Sequence, residues 1–302
     1  MYITGINFEE STYNVQSVNS TGLSSETVVS GNTSTESIFD GYFDKSNSYD
    51  RRIDAFQQNE VGDCWLLSDA KSLQNTDFGA KAIKDAIDYQ HNGAETDPYT
   101  VTIYNTFGEK QTIEITKADM EKYMNTNKNY STGDGDTRLL EAAVAKYFVQ
   151  EIEAGRMKGR SVNDPLEGSP FGVYSTDYMF TGKMPHGLTT VDVNPENAQY
   201  FDKLTNENMN GVMNKYADNP SNMSMTVAFK DRTFLQKLLG TVSREQQDTN
   251  HSYSITGVNR NSSGEIVSVT YSNPHNSSIE YTVSYGKFKN IIAQISYLSA
   301  ED

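Results

Sequence analysis

Cysteine is nearly absent from this chain: Cys64 stands alone, so no internal disulfide can form. The four histidines, His91, His186, His251 and His275, are too scattered to suggest a Cys/His zinc module. A lone thiol is therefore either inert packing or chemistry. Basic residues are few, 25 Lys and Arg against 40 Asp and Glu, and the net charge of −15 argues against nucleic acid as a partner. Sequence-independent binding to phosphate backbones needs clustered cations. No apolar run approaches the roughly 20 residues that cross a bilayer, so no membrane span is expected. The opening MYITGINFEE lacks the basic-then-apolar order of a secretory signal. These absences point to a soluble protein, cytoplasmic or exported without a recognisable signal. Internal repeats are missing too, and Gly133-Asp134-Gly135-Asp136 has no lysine to make a phosphate-binding loop, so it reads as a turn before a helix.

What the chain does have is length: 302 residues can bury one large core or two lobes that close on a cleft. Residues 1–45 are rich in Ser, Thr, Asn and Glu, with weak apolar periodicity, and read as a polar, flexible arm. From Asp63 onward Leu66, Ala70 and Leu73 repeat at helical spacing, with Asp63 as a first-turn cap and Cys64 at the helix start. A second helix is predicted at FGAKAIKDAI, and YTVTIYNTFGEKQTIEIT reads as a hairpin. Leu140, Ala143, Val144 and Tyr147 mark a further helix ending near Gly155. Glycines and prolines crowd the stretch from about 156 to 200, which suits a passage between lobes.

Beyond it, Met209, Val212, Met213 and Tyr216 form a helical face, and Met223, Met225, Val227 and Phe229 alternate as a buried strand. HSYSITGV and EIVSVTYSN flank the loop NRNSSG, followed by IEYTVSY and IIAQISYL. The expectation is an α+β chain of two lobes, mainly helical over 46–183 and β-rich over 184–302.

A thiol attacks an amide usefully only as thiolate, and an ordinary cysteine with pKa near 8.5 is roughly a few per cent ionised at neutral pH. A helix N-terminus contributes modestly to activation and an adjacent imidazolium more. If the NRNSSG loop is centred near Ser262, antiparallel register sets Val269 against Ile255, Tyr271 against Tyr253 and Asn273 against His251. The Asn273 amide oxygen could then accept from one imidazole nitrogen and leave the other for the thiol. For the oxyanion that develops during attack, the Cys64 backbone N–H and the Gln58 side-chain amide are candidate donors, with Gln57 competing for the second role. Singly, Cys64, His251 and Asn273 each read as packing or turn residues; their joint arrangement reads as catalysis. His275 makes a weaker base because it follows Pro274, and His91 and His186 fall in loops.

The run Gln58-Asn59-Glu60-Val61-Gly62-Asp63-Cys64-Trp65-Leu66-Leu67 resembles the active-site segment of the calpain family of cysteine proteases. His251-Ser252-Tyr253-Ser254-Ile255-Thr256-Gly257 is similar to that family's histidine segment, and Ser272-Asn273-Pro274 to its asparagine segment. Weaker echoes are Leu139-Leu140-Glu141 with Ala145-Lys146, and Phe180-Thr181-Gly182; together they cover about residues 50–300. The resemblance implies a papain-like two-lobe protease core, a cysteine endopeptidase acting on protein or peptide substrates, and catalytic roles for Cys64, His251, Asn273 and Gln58. Deamidation or acyl transfer by the same thiol, and peptide binding without cleavage, are the alternative readings. The sequence departs from the family at Asn59 and Asn250, where glycines are usual, and at His275, where tryptophan shields the Asn–His bond. Trp65 or Tyr281 is expected to take over that cover. No cofactor is required; calcium is the one ion the resemblance allows for, and Glu141 matches its liganding glutamate.

Overall fold

The computed structural model describes residues 50–89, 94–124, 130–168, 170–192, 198–233, 243 and 246–302, so the arm over 1–45 and His91 lie outside the described residues. Among the rest, helix and strand are mixed, giving an α+β chain. Helix α1, Cys64–Gln74, buries Leu66, Ala70 and Leu73, and α2, Asp77–Ala86, starts where the Thr76 hydroxyl accepts the Gly79 N–H. The expected hairpin forms as β2, Tyr99–Tyr104, against β3, Lys110–Ile115. A two-residue β1, Ile87–Asp88, extends it to three strands, so the first half is less purely helical than its periodicity implies. After the short α3, Lys117–Met124, comes α4, Gly135–Glu153. The Gly-Asp-Gly-Asp stretch is the turn that starts α4: Gly133 takes φ 103°, and the Asp134 carboxylate accepts the Thr137 N–H. Leu139, Leu140, Val144, Tyr147 and Phe148 of α4 pack with Trp65, Leu66 and Leu73 of α1 in one apolar cluster that ends at Phe180.

The passage after 155 also holds two elements too short to show a period, α5, Thr176–Thr181, and β4, His186–Thr189. Then follow β5, Phe201–Lys203; α6, Asn206–Asp218; β6, Met223–Phe229; β7, Ser252–Arg260; β8, Ile266–Asn273; β9, Asn276–Ser284; α7, Tyr285–Ile291; and β10, Ile292–Ser299. Strand order is β5-β4-β10-β6-β7-β8-β9, antiparallel throughout except β4 with β5. A second apolar cluster runs from Leu188 to Ile295 and packs Met209, Met213 and Tyr216 of α6 with Met225, Val227, Tyr253 and Tyr271 of the sheet. No helix among the described residues is long and apolar enough to cross a membrane.

Helix α1 touches both clusters, and its face toward β6 and β7 is polar. Ser72 Oγ accepts the Met225 N–H at 2.6 Å and donates to the Met225 carbonyl at 3.0 Å. The Ser254 hydroxyl donates to the Ser68 carbonyl, and the Ser68 and Ser252 hydroxyls meet at 2.6 Å. Thr226 donates to the half-buried Asp69 and Ser224 to the buried Asp177. Because each of these groups would cost free energy if buried alone, the seam fixes α1 against the sheet by pairing rather than by area. That places the head of α1 beside the start of β7.

Candidate functional site

Cys64 is the first residue of α1, behind Asp63, whose carbonyl takes the Leu66 and Leu67 N–H groups. The expected cap is corrected in one respect: the Asp63 side chain makes no capping hydrogen bond. Its Oδ1 instead accepts the Gln58 amide at 3.0 Å. The thiol is buried, and burial pushes it up to about 12, with the Asp63 and Glu167 carboxylates acting in the same direction. Backbone N–H groups of Ser252 and Trp65 reach the sulfur and pull the other way. A lone thiolate is thus disfavoured here; a cation beside it would have to compensate. Ser252, the residue after His251, brings the start of β7 to the sulfur. Sequence reasoning missed both Ser252 and Glu167: a backbone donor and a loop carboxylate leave no pattern.

His251 is buried and its Nε2 lies 2.8 Å from Asn273 Oδ1. The same oxygen accepts the backbone N–H of His275 at 2.8 Å. A backbone N–H can only donate, so this second bond identifies the Asn273 atom as oxygen, and His251 must then carry its proton on Nε2. In the neutral ring Nδ1 is left as the acceptor.

The register behind this pairing differs from the expected one. Ser254 faces Ser272 and Ile255 faces Tyr271, two residues away from the alignment centred on Ser262. The loop closes instead around Ser263, with Asn261 bonding Glu265 and Gly264 at φ 82°. Two further irregularities, between Ile255 and Gly257 and between Asn259 and Arg260, cancel each other. Since side chains alternate with period two, a slip of two residues keeps the face, and Asn273 reaches His251 diagonally instead of directly. A slip of one would have parted them. Asn250, just before His251, sits at φ 56°, the left-handed region where Asn is the best tolerated substitute for glycine.

The expected cover for this bond is also corrected. Trp65 is buried in the first cluster, stacked on Phe148 with its indole N–H on the Leu166 carbonyl, and Tyr281 lies against Tyr271. The ring on His251 is His275, parallel to it within 7° at 4.6 Å, with Tyr253 edge-on at 4.9 Å. His186 lies apart, against Tyr297.

Gln58 is buried near the helix head, but both hydrogens of its amide already have acceptors, the Val61 carbonyl at 2.7 Å and Asp63 Oδ1. Its own oxygen meets no donor. In this arrangement the amide expected as an oxyanion donor is engaged with Val61 and Asp63. Gln57, the competitor, makes a paired backbone bridge to Thr132.

Glu141 takes the Ser131 N–H at 3.1 Å and the Ser131 hydroxyl, and it is hydrogen-bonded to Asp63. Burial, reinforced by Glu141, holds the Asp63 carboxyl well above the usual carboxylate range. Burial raises both carboxyls, and a hydrogen bond between two carboxyls calls for one proton shared by the pair. Both oxygens of Glu141, the residue at the position of the family's liganding glutamate, are engaged by Ser131 in this arrangement. Among the described residues no group of three or more His, Cys, Asp or Glu converges to hold a metal ion. Where acidic groups of both halves do approach each other, a side-chain ammonium sits among them: Lys71, donating to the Asp54 carbonyl, lies in the field of Asp54, Asp134 and Glu280.

No protein-family model matches the chain, and no curated protein matches it.

Proposed function

We propose that this chain is a cysteine endopeptidase of calpain-like type that hydrolyses peptide bonds through a thioester on Cys64. The observation that carries the reading is the bond from His251 Nε2–H to Asn273 Oδ1, with the sulfur of Cys64 at the adjacent Ser252 N–H. The two apolar clusters, the first ending at Phe180 and the second starting at Leu188, fit the two lobes of a papain-like core with a boundary near 183.

In this reading Asn273 fixes the imidazole so that Nδ1 takes the thiol proton. Thiolate and imidazolium then compensate each other's desolvation, which a buried sulfur needs more than an exposed one. The thiolate attacks the substrate carbonyl, His251 returns its proton to the leaving amine, and water, deprotonated by the same nitrogen, hydrolyses the thioester. The negative oxygen that develops would be met by the backbone N–H of Cys64 at the helix head, where no side chain caps the first turn. Gln58 joins it only if its amide swings away from Asp63. Protein or peptide is the substrate class; no step calls for a metal.

The test is digestion of an unstructured protein by the wild-type chain and by Cys64→Ala, followed by mass analysis. New termini with the wild type and none with the variant, at unchanged melting temperature, are expected. Cleavage by the variant would remove Cys64 as nucleophile. Products heavier by about one dalton, uncut, would mean deamidation by the same thiol instead.

A further inference from the structure

The ring stacked on the proposed base is itself an imidazole. His275 lies parallel to His251 at 4.6 Å, and its main-chain N–H ends on the same Asn273 oxygen that accepts from His251. Its Nδ1 is 3.5 Å from the Gln58 carbonyl, which ties the ring to the segment leading into α1. His251 and Asn273 are buried, whereas His275 is exposed to solvent. It therefore forms the outer wall of the pair.

We propose that His275 is a positioning residue that holds the His251 ring plane and shields its bond to Asn273 while uncharged, and that releases this hold when it takes up a proton. The inference rests on the peptidase reading above. Activity there needs an imidazolium at His251 beside a thiolate. An inert aromatic in the outer position leaves that cation undisturbed, and a face-on ring even favours it. A second imidazolium at stacking distance opposes it, because like charges that close disfavour each other's charged form. One proton taken from solvent by His275 then drives the His251 proton back to sulfur, and the site returns to the neutral thiol.

Among the described residues, these groups are set around the two rings. From β7 there is Tyr253, edge-on to His251. From β8 there is the Asn273 amide. The segment before α1 presents the Gln58 carbonyl, with Asp63 and Glu141 behind its side chain sharing a proton.

The experiment compares wild type, His275→Trp and His275→Ala for kcat and KM on a fluorogenic peptide from pH 5 to 9. In parallel, Cys64 is alkylated with iodoacetamide over the same range, a reaction that reads the thiolate without needing turnover. His275→Trp is expected to keep kcat at pH 7.5 within about threefold and to move the acid limb of both profiles down by about one pH unit or more. His275→Ala is expected to lose about tenfold or more in kcat at little change in KM. An acid limb of His275→Trp that coincides with wild type in both profiles overturns the proposal, as does His275→Ala with wild-type kcat. If the wild type cuts no peptide, the peptidase reading fails by itself, and the alkylation profiles still decide the role of His275.

Discussion

The interior of the first cluster and the seam that joins it to the sheet are held together by opposite means. Inside the cluster, Phe148 is held by Trp65 stacked at 5.7 Å, Tyr174 edge-on at 5.8 Å and the Arg160 guanidinium over its ring. Nothing there depends on a proton. Along the seam, α1 meets β6 and β7 through Ser68, Asp69 and Ser72, and α5 adds Asp177. A cluster of the first kind is stable across pH and tolerant of sliding; one of the second kind specifies a single alignment and depends on who holds the protons. Since the seam is also what sets Cys64 against the start of β7, the geometry of the site inherits that dependence.

The largest expected effect comes from attacking the apolar side. Phe148→Ala removes a fully buried ring and is expected to lose about 3–5 kcal/mol, whereas Ser72→Ala, which strands the Met225 N–H, is expected to lose about 1–3 kcal/mol. Denaturant unfolding of both variants checks the pair; an equal loss would mean that the seam and the core are not distinct in kind.

A smaller, graded effect is expected from pH. Burial raises the Asp177 carboxyl to about 7, and burial together with the Asp177 charge raises Asp69 well above its usual range. A carboxyl raised on folding holds a proton that the unfolded chain has released. The stability it contributes is therefore complete below about pH 4, falls by roughly 1.4 kcal/mol per pH unit for each extra proton held, and is gone above about pH 7. Asp177→Asn is expected to flatten that slope. Equal slopes in variant and wild type, measured by urea unfolding at several pH values, would place the pH dependence elsewhere.

Periodicity made α1, α4, α6, β6 and the β2–β3 hairpin readable, because each is long enough to show its repeat. It could not reveal α5 or α7, six and seven residues long. Their caps, Ser175 and Ser284, resemble any loop serine until the structure shows them accepting Tyr178 and Lys287 N–H groups. At the site, residue types and order were legible, and the meeting of Asn273 with His251 survived an error of two in register only through the parity of strands. What remained hidden was partnership. Nothing in the sequence says that the Gln58 amide turns to Asp63, that Asp63 and Glu141 share a proton, or that His275 stacks on His251, since each depends on segments brought together by the fold. The ring that stacks on His251 is thus neither Trp65 nor Tyr281 but His275, the residue at the position where the resembling family has tryptophan.

The central claim is that an imidazole at His251 makes a thiolate of a buried sulfur which burial alone would keep protonated. The direct measurement is the rate at which iodoacetamide alkylates Cys64 at about pH 6 in the wild type and in His251→Ala. Fast labelling of the wild type and labelling slower by about 100-fold in the variant is the expected result. Equal rates in the two proteins would contradict it, for the sulfur would then owe nothing to that imidazole.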